Sequence, residues 1–219
     1  MCKRSYTLSQ ANANKVIDNF KHISNYANQQ FIASRELYYK YIKEDFGKYF
    51  EHSERVLSQL KALTGSLTDI KDLFPSRYFV ELPIVLNHGF LTSELVKVSP
   101  TGGIREINDW HNVSLLPIGY DVFSLMVNSF DTNLRRDHFE KVLAYFHSCF
   151  RGNALLEFKL SLLTKYYKKS IAYIAVKNLP RMLLKLKAKS VSSSTKKMMA
   201  RRWEAALDDA YMIAIDNDI

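Results

Sequence analysis

Glycine and proline are scarce, seven and five in 219 residues. A β-sandwich needs many tight turns, so the shortage disfavours one and suits long helices. Cysteine is scarcer still. Only Cys2 and Cys149 occur, one at the N-terminus and one in a helical pattern, so a disulfide framework is a poor reading. No run approaches the ~18 apolar residues of a membrane span. The longest candidate, Ile171 to Val176, is stopped by Lys177. After Met1-Cys2-Lys3-Arg4 come Asn, Gln and Ser, where a signal peptide would turn apolar, so the expected location is cytoplasmic.

What is present is hydrophobic residue in quantity. At 47% hydrophobic and 13% aromatic, the chain can bury a real core, and one domain over 1–219 is expected. Residues 8–64 read as helix. Val16, Phe20, Ile23, Ala27, Phe31, Tyr38, Tyr41 and Phe46 recur near the helical period, Thr7 or Ser9 can cap the start, and Gly65 can end it. Gly47 lies inside the pattern and divides it into two helices or bends one long helix.

Residues 66–130 change character, with Pro75, Pro83, Pro100 and Pro117. Leu95 to Ser99 and Ile104 to Ile107 flank Pro100-Thr101-Gly102-Gly103, a β-hairpin pattern. Tyr78 to Leu86 reads as a further strand, confined to an edge by Pro83. From 131 to 219 the helical pattern returns. Phe139, Val142, Leu143, Phe146 and Phe150 form one face, with Asp131 or Thr132 as cap and Gly152 as stop. A helix is expected from about Ala154 to Lys177, broken at Asn178-Leu179-Pro180. A short basic helix, Arg181 to Lys189, follows. The Ser/Thr joint 191–195 leads into a last helix ending near Ile215. The expected fold is mainly α, an irregular helical bundle with a small β-hairpin insertion, the alternative being α+β.

Charge is unevenly spread. From Arg151 to Arg202 there are fourteen Lys and Arg against the single acid Glu157, whereas 203–219 holds five acids and no base. A block of this kind repels itself unless something anionic meets it. Tyr166 and Tyr167 precede Lys168 and Lys169, and Trp203 follows Arg201 and Arg202. Cations that neutralise phosphate beside rings that stack on bases suit RNA or single-stranded DNA. The expected surface comprises Lys165, Lys168, Lys169, Lys185, Lys187, Lys189, Lys196, Lys197, Arg201 and Arg202, with Tyr167 and Trp203 as stackers. The function it implies is non-enzymatic, sequence-independent nucleic-acid binding. The last helix is basic at its start and acidic toward its end, against the helix dipole. That arrangement gives the alternative: an assembly module, as a homo-oligomer or with an acidic protein partner. A third reading places the basic amphipathic helices against an anionic membrane surface.

Catalytic signatures are sparse. Leu82 to Phe90, ending Asn87-His88-Gly89-Phe90, together with Gly119-Tyr120-Asp121-Val122-Phe123, superficially resembles the first strands and His-Gly oxyanion turn of α/β-hydrolases. That family needs a Gly-x-Ser-x-Gly elbow. His147-Ser148-Cys149-Phe150-Arg151-Gly152 lacks the first glycine and is helical in pattern, so the hydrolase reading is set aside. The six histidines form no His-x-x-x-His pair, and no metal or cofactor is expected. Asp109-Trp110-His111, with His88, is the one place where acid, imidazole and loop coincide. Cys149, between Phe146 and Phe150, is expected to be a buried thiol.

Overall fold

A computed structural model describes residues 31–75, 77–152 and 157–216. The fold is mainly α with a small β insertion, as the composition implies. The described residues gather into two compact units, one from 77–167 and one from 31–75 with 168–216.

The first unit holds all four strands. Helix α3 (Tyr78–Glu81) precedes Leu82-Pro83 and strand β1 (Ile84–Asn87). The strand expected over 78–86 is therefore helical in its first half: Tyr78 and Phe79 are buried, and extension resumes at Leu82. Strands β2 (Val96–Val98) and β3 (Ile104–Ile107) form the expected hairpin, with a register shift at Lys97/Val98. Strand β4 (Ser114–Pro117) returns antiparallel to β1, with Val85 opposite Leu116. Two two-stranded sheets result.

Gly119, at φ 97°, then caps helix α4 (Tyr120–Ser129). A Cβ there would meet the Leu163 and Phe123 side chains at 2.7 and 2.9 Å, so close packing as well as backbone conformation calls for glycine. Helix α5 (Thr132–Ser148) starts at its expected cap, Asp131. An aromatic cluster makes the core. Tyr166 lies 4.9 Å from both Tyr78 and Phe123, and Tyr167 stacks on Phe139 at 5.3 Å, distances between ring centroids.

The second unit begins with helix α1, described over 31–40, followed by a π-helical turn Tyr41–Asp45 and helix α2 (Ser53–Thr64). The chain breaks around Gly47, as the pattern suggested; the part of the stripe before Phe31, and the caps Thr7 and Ser9, lie outside the described residues. The Tyr39 hydroxyl bonds Thr64 Oγ1 at 2.6 Å, tying α1 to the end of α2. Burial raises the Tyr39 phenol above its ordinary pKa, and the bond to Thr64 partly opposes this.

Helix α6 (Leu160–Lys187) runs through Pro180, where a break was expected. Proline inside a helix costs ~3 kcal/mol. Val176, Leu179, Met182, Leu183 and Leu186 are all buried around it. At roughly 1.5–3 kcal/mol for each large apolar side chain buried, packing outweighs the lost hydrogen bond. The second unit takes α6 from residue 168 onward, and helix α7 (Ser193–Asp216) completes it. Ser192 caps α7, its Oγ accepting the Thr195 N–H. Within the described residues, no helix is long and apolar enough to cross a membrane.

Candidate functional site

The basic block is divided between the two units, and three of its expected contact residues are buried. Lys165 and Tyr167 belong to the first unit and the other ten residues to the second. Lys165, Lys168, Lys169, Lys187, Lys189, Lys197 and Arg201 are exposed, while Lys185 and Arg202 are half-buried. The two expected stackers are core residues. Tyr167 is buried against Phe139 and Phe123. Trp203 is buried too, its Nε1–H donating to the Ala175 carbonyl at 2.8 Å. Lys196 is buried with its Nζ 5.7 Å from the Tyr49 ring centroid. Amphipathic helices carry aromatics on one face and lysines on another, so interleaving in sequence did not mean adjacency on the surface.

The bipolar last helix has an explanation inside its own unit. Glu204 is buried, and its carboxylate accepts the backbone N–H groups of Glu51 and His52 at 2.8 and 2.9 Å, capping the start of α2. Arg55 reaches Glu204 at 3.5 Å and Asp208 at 3.1 Å. Two of the acids of α7, Glu204 and Asp208, thus serve α2.

A candidate site lies in the first unit, where two turns meet. The first is His88-Gly89-Phe90 after β1; the second is Asn108 to Asn112, between β3 and β4. Gly89 has φ 80°, and a Cβ there would fall 2.1 Å from the Asn112 carbonyl oxygen, so the turns touch backbone to backbone. Asp121, in the first turn of α4, accepts the His88 and Gly89 N–H groups at 2.7 and 3.0 Å, one on each carboxylate oxygen. The His-Gly donors that suggested an oxyanion hole are therefore engaged by an internal carboxylate.

His88 is buried and committed at both nitrogens. Nε2 faces the Asn108 carbonyl at 2.8 Å and must donate, while Nδ1 accepts the Phe90 N–H at 3.3 Å. This is the neutral Nε2–H tautomer acting as a brace between the turns. It is not placed as a free general base. The Asn108 N–H donates to Leu95 at 2.9 Å, pinning the second turn to the hairpin.

That bracing holds Asp109 in the left-handed region, φ 68° and ψ 51°. Among the described non-glycine residues it alone has positive φ. Trp110 follows it, half-exposed, with Nε1–H bonded to the Ile107 carbonyl at 2.5 Å and its ring 5.0 Å from His88. The His111 side chain lies outside the described residues. Sequence reasoning singled out Asp109, Trp110 and His88 but gave Asp121 no role. Its signal was an acid two residues after Gly119, in the first turn of a helix read as irregular chain. Cys149, expected to be buried, is exposed at the end of α5, its Sγ 3.4 Å from the Tyr145 carbonyl. Among the described residues, no group of three or more His, Cys, Asp or Glu side chains is gathered to hold a metal.

Residues 4–212 match the profile of the DUF1679 family, described as "Uncharacterized oxidoreductase dhs-27". The chain belongs to that family. No curated protein and no solved structure gives a significant match. A family described as an oxidoreductase overturns the reading of a non-enzymatic nucleic-acid-binding protein, and nothing in it supports the assembly reading.

Proposed function

We propose that the DUF1679 chain serves an enzymatic reaction, with the paired turns of the first unit as its working surface and the Asp109 carboxylate as the group that exchanges a proton with substrate. The observation that carries this reading is the backbone of Asp109. A left-handed L-residue costs up to roughly 1–2 kcal/mol, less for an aspartate whose short side chain can bond locally, and such strain persists where its surroundings enforce it, commonly at functional sites. Here Asp121, His88 and the Asn108 bonds enforce it.

The family's description makes oxidation–reduction the class to test first. The seven glycines, at 47, 65, 89, 102, 103, 119 and 152, nowhere fall in Gly-x-Gly-x-x-Gly spacing. The sequence therefore offers no Rossmann-type phosphate turn, and no step is derived through a dinucleotide. What the chain does offer is a carboxyl group on a rigid loop, suited to delivering or accepting the proton that accompanies interconversion of an alcohol and a carbonyl.

The test is turnover of a panel of small alcohols and carbonyls with nicotinamide, flavin and dye electron carriers, for the wild-type chain and for Asp109→Asn. Asparagine tolerates the same backbone, so the variant should fold, as a thermal melt would verify. Its turnover should fall at least ~100-fold, the lower end of what a positioned acid or base contributes. Unchanged turnover in Asp109→Asn would put the chemistry elsewhere.

A further inference from the structure

We draw no further inference here: the strongest candidate, the outward face of the β1–β4 sheet at Leu86 and Leu115, is apolar and exposed at Leu86, and nothing in the structure shows what covers it.

Discussion

At the scale of single residues, the paired turns contain two left-handed positions that the chain fills differently. Gly89 takes φ 80° with no steric cost, and no other residue fits beside the Asn112 carbonyl. Asp109 takes φ 68° with a side chain attached. If stability alone had chosen this position, glycine would serve it better. Asp109→Gly should therefore raise the unfolding free energy by up to ~1 kcal/mol, the relief of left-handed strain less glycine's extra entropy in the unfolded chain. The same change should abolish turnover, because the carboxylate is gone. Urea unfolding followed beside the turnover assay checks both halves. A marked loss of stability would mean that Asp109 is kept for its local hydrogen bonds, and the strain argument for function would fall.

At the scale of elements, periodicity was informative and punctuation less so. Asp131 marked the start of α5 and Ser192 capped α7, because the start of a helix is signalled locally, within four residues. Pro180 misled, since the buried stripe that overrides it belongs to tertiary packing. Helix α4 was hidden because the prolines and glycines around it made residues 66–130 read as irregular. The dipole of α7 was read correctly as locally unfavourable, but its compensation lay 152 and 153 residues away in sequence, at His52 and Glu51. Glu204→Ala should consequently cost roughly 2–4 kcal/mol, chiefly because two N–H groups at the start of α2 lose a buried acceptor. Arg55 contributes less, since it is half-exposed and water can replace its partner. Glu204→Gln keeps one acceptor oxygen and should lose about half as much. Chemical denaturation of the two variants measures this, and a cost below ~0.5 kcal/mol for the alanine would show that α2 starts without the cap.

At the scale of the whole molecule, the loudest signal in the sequence and the proposed site lie in different places. The net charge of +9 is visible from composition, and it drew attention to residues 151–202. The paired turns hold few charges, so Asp109 was noticed only as an acid in loop-like chain, and His88 as an imidazole and through a hydrolase-like His-Gly turn that was set aside. What joins the turns into the proposed site is their bracing by Asp121, and a contact between residues 88 and 121 is not readable from the spacing of a single sequence. The exposed lysines Lys165, Lys169, Lys187, Lys189 and Lys197 should then be separable from function. Reversing any one of them to glutamate should leave turnover within about twofold and change stability by no more than ~0.5 kcal/mol. The sign should be slightly favourable at low ionic strength, because each reversal relieves repulsion in a strongly positive chain, and the gain should fade as salt screens it. Thermal melts at two salt concentrations, run beside the turnover assay, measure both. A reversal that abolished turnover without unfolding the chain would make the basic block part of the reaction surface after all and move the working site away from Asp109.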